Sequence, residues 1–161
     1  MNHWIFDLDY TLYSSFDVSE KNRDTYYKSF GKKPLLNKLI KELNGKKYIF
    51  SNGNKQHVHD VLTKMKLKSI FNKIATADEY KHELKPCIKC YKYVIQKFKL
   101  DNEKDNIYFF EDSFKNLQTA KKLNWITILI NPNKNKFKNY KDVDYIFPNI
   151  ESAIFHFTKN N

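Results

Sequence analysis

Short apolar runs alternate along the chain with segments whose apolar residues recur every three or four positions. His3–Leu8 (HWIFDL) reads as a buried strand ending at a carboxylate. Leu35, Leu36, Leu39, Ile40 and Leu43 fall on one helical face, and Asn44-Gly45 closes that helix. Lys47–Phe50 (KYIF) predicts a second strand, followed by Ser51-Asn52-Gly53-Asn54 and a helix marked by Val58, Val61, Leu62 and Met65. Ile74–Ala77 reads as a short third strand. Pro86 stands at the start of a helix carrying Ile88, Tyr91, Val94, Ile95 and Phe98. Asn106–Phe110 (NIYFF) predicts a fourth strand, Leu117, Ala120 and Leu123 a further helix, Ile126–Ile130 (ITILI) a fifth strand, and Ile150–Phe157 a closing helix. The lysine- and asparagine-rich stretch Asn131–Lys141 is expected as a solvated loop.

Strands that alternate with helices imply a parallel sheet covered on both faces, a three-layer α/β/α Rossmann-like fold. Ligands of such sheets bind beyond the carboxyl ends of the strands. The polar clusters of this sequence fall there: Asp7 and Asp9 after strand one, Ser51 and Asn52 after strand two, Glu111 and Asp112 after strand four.

Composition narrows the setting. A chain of 161 residues has room for one sizeable core, and no apolar run reaches the length of a membrane span. The N-terminus passes almost directly into an apolar stretch without a basic leader, so a signal peptide is not expected. Two cysteines, Cys87 and Cys90, are too few for a disulfide framework, and a reduced, cytoplasmic setting is expected. Cys87-x-x-Cys90 offers half a zinc site with no partner pair, and reads as two ordinary thiols.

The formal charge of +11 invites a nucleic-acid partner. Arg23 is the only arginine, however, while Lys, Asn, Ile, Tyr and Phe, all with AT-rich codons, are abundant. Base composition therefore competes with selection as the source of the charge. Either way the field attracts an anionic substrate.

Asp7-Leu8-Asp9-Tyr10-Thr11 carries the chemistry. Two carboxylates about 4 Å apart at an effective dielectric near 20 repel by on the order of 4 kcal/mol. A divalent cation relieves that conflict, and Asp112 would add an oxygen ligand; an all-oxygen site with several waters suits Mg2+. His57 and His59 fall within the helix after the second cluster, and His57 is expected to face solvent.

Phe6-Asp7-Leu8-Asp9-Tyr10-Thr11-Leu12 resembles the first motif, DxDxT, of the haloacid dehalogenase superfamily. Ser51 resembles its second motif, Lys85 in Leu84-Lys85-Pro86 its third, and Glu111-Asp112 its fourth, so that the likeness runs from about Trp4 to Ile130. Ser51–His57, Phe109–Leu117 and Asp9–Tyr13 are most similar to the pyrimidine 5′-nucleotidase-like group. The resemblance implies a magnesium-dependent phosphomonoesterase in which Asp7 attacks phosphorus and forms an aspartyl-phosphate. Asp9 would act as acid and base and lend the metal its main-chain carbonyl. Thr11, Ser51, Asn52 and Lys85 would bind the phosphoryl group, and Asp7, Asp9 and Asp112, supported by Glu111, would hold the metal. Dehalogenase branches lack an acid/base aspartate at the second position, so Asp9 favours phosphate esters.

The expected organisation is a single domain, 1–161, with only 12–33 left for a reduced cap. Tyr10, Tyr13, Phe16, Tyr26, Tyr27 and Phe30 would fill the core of that cap or stack on bases. A small cap fits a nucleotide or similar metabolite less well, and leaves open a bulky substrate, either a polynucleotide end or a phosphoprotein. A non-catalytic binding module that keeps the fold is the remaining alternative. Oligomeric state is not legible in the residues.

Overall fold

A computed structural model describes residues 1–14, 23–81, 83–133 and 141–159. Phe16, residues 15–22 of the expected cap and 134–140 of the expected loop lie outside the described residues. The elements run β1 (Asn2–Phe6), α1 (Arg23–Ser29), α2 (Pro34–Glu42), β2 (Lys46–Phe50), α3 (Lys55–Lys64), a 3-10 turn (Lys68–Ile70), β3 (Lys73–Ala75), α4 (Ile88–Phe98), β4 (Asn106–Glu111), α5 (Phe114–Lys121), β5 (Ile126–Ile130), β6 (Tyr145–Phe147) and α6 (Ile150–Lys159).

The strands form one parallel sheet in the order β3-β2-β1-β4-β5-β6. Its pleat sorts consecutive side chains onto opposite faces. Trp4, Phe6, Ile49, Phe110 and Ile128 join the buried cluster that α2, α3 and α6 complete with Leu36, Ile40, Val61, Leu62, Ile154 and Phe157. Ile5, Tyr48, Phe50, Phe109 and Leu129 enter the opposite cluster, closed by Tyr91, Val94 and Phe98 of α4 and by Leu117 and Ala120 of α5. Both faces are buried, which is why the strands read as nearly unbroken apolar runs. Aromatic pairs pin the central register: Trp4 stacks on its partner Tyr108 at 4.1 Å and Phe6 on Phe110 at 4.6 Å.

The α/β/α reading therefore holds, with local differences. β1 ends at Phe6, although the Asp7 N–H still donates to the Phe110 carbonyl and continues the ladder. β3 stops at Ala75, and α4 begins at Ile88, two residues beyond Pro86. Besides the 3-10 turn, two elements have no counterpart in the periodicity. β6 is three residues long and incompletely buried, so no apolar run announces it. The seven-residue α1 lies in the β1–α2 connection. Among the described residues no helix is long and apolar enough to cross a membrane.

β1 sits where the winding of the sheet reverses, with β2 on one side and β4 on the other. A crevice opens at such a switch point beyond the strand ends. There β1 delivers Asp7, and β4 delivers Glu111 with Asp112 just after it.

Gly45 makes the tight entry into β2 at φ +116°, and a Cβ there would come within 2.2 Å of the Asn2 carbonyl oxygen. The Gly45→Ala variant is therefore expected to lose roughly 1–3 kcal/mol of stability, measured as a lowered urea midpoint. An unchanged midpoint would contradict the close β1–β2 approach.

Candidate active site

Lys85 is the centre of the cluster. Its ammonium donates to Asp7 Oδ1 at 2.7 Å, to Glu111 Oε2 at 2.8 Å and to the Phe50 carbonyl at 2.8 Å. Its Nζ also lies 4.9 Å from the Phe50 ring centroid and 5.3 Å from that of Phe109. The side chain is almost wholly buried. Burial alone would lower its pKa, but the charges of Asp7 and Glu111 overcome this and raise it, so the ammonium stays protonated.

Asn52 explains how Lys85 is held. Its side chain donates to the Lys85 carbonyl at 3.1 Å and accepts from the Lys85 N–H at 2.9 Å, clamping that peptide from both sides. Ser51 is buried, and its Oγ accepts from the Gly53 N–H at 2.9 Å. Its carbonyl accepts from the Tyr80 hydroxyl. Thr11 donates to Asp7 Oδ2 at 3.0 Å, so both oxygens of Asp7 are engaged, one by an ammonium and one by a hydroxyl.

Asp7, Glu111 and Asp112 each offer an oxygen lying within 4.8 Å of the others, a grouping able to hold a metal ion. Their electrostatics show an excess of buried negative charge. Burial first, then the charge of Glu111, push the Asp7 carboxyl up to about 7 against the pull of Lys85. Burial likewise raises Glu111 to about 7 despite Lys85, with Asp112 contributing. Asp112 is raised chiefly by burial, with Asp7 adding to it. One ammonium does not balance three carboxylates, and hard oxygen donors with uncompensated charge fit a hard divalent cation. Glu111 already accepts from Lys85 and, through Oε1, from the Ser113 N–H at 3.1 Å. Asp7 is engaged in the same way by Lys85 and Thr11, so all three carboxylates stand together as the group able to hold such an ion.

Asp9 belongs to a different network. Its Oδ1 accepts from the Tyr13 hydroxyl at 2.5 Å and lies 2.6 Å from His57 Nε2. Burial would raise its pKa, but these two partners and the His57 charge interaction lower it. The repulsion expected between Asp7 and Asp9 is thus not the main conflict. Glu111 is the carboxylate that presses hardest on Asp7, and Asp9 contributes less. Nor is the Asp9 carboxylate part of the metal-capable group, which draws on Glu111 instead.

His57 also departs from expectation. It faces inward, with a side chain 18% exposed, whereas His59 of the same helix is 49% exposed. Asn54 caps α3 by accepting from the His57 N–H, which fixes His57 in the first turn beside the β2 loop. That cap was the available signal; helical periodicity alone did not say which histidine turned in. Of the aromatics, Tyr13 and Phe30 are buried, Tyr26 and Tyr27 pack against the core, and Tyr10 is exposed. Beside this centre, Tyr10, Thr11, Lys33, Asp112, Asn131 and Asn149 are among the residues lining a cavity of about 520 Å³.

The chain was compared with known proteins. The family model for haloacid dehalogenase-like hydrolases matches residues 17–130, a stretch that includes Ser51, Lys85, Glu111 and Asp112 and follows Asp7, Asp9 and Thr11. Among solved structures, a HAD phosphatase from Thermococcus onnurineus is similar at TM-score 0.67 and 17% identity, over 95% of this chain and 96% of that one. A dehalogenase solved with an intermediate complex gives TM-score 0.67 at 17% identity, over 85% of this chain and 62% of that one. The L-2-haloacid dehalogenase from Xanthobacter autotrophicus with bound chloropropionic acid gives 0.61 at 14%, over 76% and 59%. The chain thus spans less than two thirds of these dehalogenases. At such identities the likeness is one of fold. No curated protein sequence matches.

A divalent cation at the carboxylates has a signature that needs no substrate. Asp7 and Glu111 titrate near 7 in the folded chain, against about 4 for unfolded carboxyls. Between those values the folded state holds the extra protons, so without a cation its stability falls as pH rises through that window. Magnesium is expected to raise the melting temperature more at pH ~8 than at pH ~5, where protons compete with it. Asp112→Asn should shrink the effect. Equal shifts at both pH values would count against the site.

Proposed function

The chain belongs to the haloacid dehalogenase-like hydrolase family, and from that premise we propose that it is a magnesium-dependent phosphomonoesterase with Asp7 as the nucleophile. The observation that carries this reading is the contact of Lys85 with both Asp7 and Glu111, beside Asp112, at the ends of β1 and β4. Phosphoryl transfer asks a protein mainly for positioning and for positive charge around the equatorial oxygens.

Asp7 attacks phosphorus through a carboxylate oxygen, forming an aspartyl-phosphate and releasing the substrate oxygen. Lys85 and Thr11 orient that carboxylate. The Lys85 ammonium also offsets charge that builds on the transferring group. Because Ser51 Oγ accepts from Gly53, its own O–H proton remains for a phosphoryl oxygen. The side chain of Asn52 keeps the Lys85 peptide in place, so the phosphate contact assigned to this position falls to its main-chain N–H. Asp9 delivers a proton to the leaving oxygen and then takes one from the water that hydrolyses the aspartyl-phosphate. Mg2+ held by Asp7 and Asp112 would supply Lewis-acid charge neutralisation.

The β1–α2 connection, with α1 in its described part, is proposed as a reduced cap on a single domain. A nucleotide or another small phosphate ester is the substrate class closest to the sequence resemblance. The Asp7-Asp9 pair supports phosphate esters over carbon–halogen bonds.

Hydrolysis of p-nitrophenyl phosphate is expected with magnesium and not with chelator. Asp7→Asn should lower kcat by at least about 10³-fold, and Asp9→Asn by on the order of 10² or more. Retained turnover in Asp7→Asn would end the nucleophile assignment. A second panel compares nucleoside monophosphates with end-phosphorylated oligonucleotides at several salt concentrations. Activity on free nucleotides that is insensitive to salt would support the small-ester reading, whereas steep salt dependence on oligonucleotides would favour the polymer end.

A further inference from the structure

We propose that His57 is a positioning residue for Asp9, and that Tyr27, His57, Tyr13 and Tyr26 form a directed hydrogen-bond clamp making the β1–α2 connection part of the acid/base centre. The proposal rests on the phosphomonoesterase reading for its chemistry, and on geometry alone for the clamp.

Proton counting fixes the direction of the Tyr13 arm. The Tyr13 hydroxyl has one proton and gives it to Asp9 Oδ1. Tyr13 and Tyr26 hydroxyls lie 2.7 Å apart, so Tyr26 must be the donor of that pair. On the other side, His57 Nε2 lies 2.6 Å from the same Asp9 oxygen, and a carboxylate only accepts, so Nε2 carries hydrogen. The proposal assigns His57 the neutral Nε2–H tautomer, in which Nδ1 accepts from the Tyr27 hydroxyl 2.9 Å away. The two arms thus run Tyr26 to Tyr13 to Asp9, and Tyr27 to His57 to Asp9. Each donates toward the carboxylate.

Both arms end on Oδ1. Asp9 Oδ2 accepts no hydrogen bond among the described residues, which leaves it as the oxygen for exchanging a proton with substrate or water. Two donors reaching one oxygen from separate elements, α3 and the β1–α2 connection, fix a carboxylate torsion that is otherwise broad. Gly53 is shaped to this arrangement: a Cβ there would come within 2.7 Å of the His57 ring. The absence of a side chain in the β2 loop makes room for the imidazole over the site.

The test uses substrates that differ in their need for a proton. Nitrophenolate leaves readily without one, whereas an alkoxide does not. His57→Ala is expected to lower kcat/KM by about 10–100-fold for an alkyl phosphate, and to lower it several-fold less for p-nitrophenyl phosphate. His57→Gln, which keeps an N–H donor, should recover part of the loss, and Tyr27→Phe should give a smaller loss. In His57→Ala/Tyr27→Phe the losses should not add, because both act through one bond. Equal losses with the two substrates, no recovery with Gln, or additive losses would overturn the positioning role. A second measurement does not depend on turnover. The imidazole ¹⁵N spectrum of the wild-type chain should show His57 hydrogen-bearing at Nε2 and accepting at Nδ1, with Nδ1 shifting in Tyr27→Phe. The opposite tautomer, or no response to Tyr27→Phe, would refute the clamp even if no phosphate ester were turned over. Inactivity of the wild type towards both esters with an intact ¹⁵N signature would instead defeat the phosphomonoesterase reading, and with it the role assigned to His57.

Discussion

A single buried ammonium organises the carboxyl edge of the sheet. Lys85 reaches Asp7 at the end of β1, Glu111 at the end of β4 and the Phe50 carbonyl at the end of β2. Three strand ends must therefore meet in one register, and the ammonium lies close to the Phe50 and Phe109 rings. Removing one partner from a buried ion pair commonly costs about 3–5 kcal/mol, because the other charge is stranded. That cost explains why so much structure serves Lys85 itself. Asn52 gives both polar ends of its side chain to the Lys85 peptide, an arrangement that fixes the direction of a long, flexible side chain before any substrate arrives.

The fold was legible because its driving force is written in the sequence. Strands buried on both faces must be apolar throughout, and helices packed on one side must show a stripe. β1, β2, β4 and β5 are such runs, and their ends carry the polar residues that converge. β6 escaped notice for the same physical reason. Tyr145–Phe147 is short, lies at the sheet edge and is only partly buried, so its pairing with β5 is backbone hydrogen bonding rather than an apolar pattern. Strand ends such as Leu8 and Ala77 were overextended because apolar residues continue to be buried after the ladder stops.

The site was legible at the level of which residues gather, and not at the level of which atoms meet. Strand-end position was enough to bring Asp7, Ser51, Glu111 and Asp112 to one edge, and Lys85 joined them only through the family resemblance. Neither could tell that Thr11 donates to Asp7, or that His57 turns inward while His59 turns out. Side-chain direction in the first turn of α3 depends on the local Asn54 cap and on the space that Gly53 leaves, neither of which has a periodic signature.

Two carboxylates two residues apart are pushed in opposite directions. Asp7 lies in a buried anionic group that raises its proton affinity, and Asp9 in a ring of donors that lowers it. Pairs separated in this way by their surroundings are how one site assigns distinct roles to chemically identical groups. In the proposed mechanism, a cation would return the Asp7 carboxylate to its nucleophilic form. For Asp9, the resting anion would already be the form that draws a proton from water in the proposed second half-reaction. The proposed first half-reaction needs the protonated form, and a bound phosphate ester would favour it. In the proposed mechanism a phosphoryl group beside Asp9 would add negative charge near its carboxylate, and a nearby like charge raises a carboxyl's proton affinity. In that scheme Asp9 would take a proton from solvent as the ester binds, give it to the departing alcohol oxygen, and be ionised for the second step.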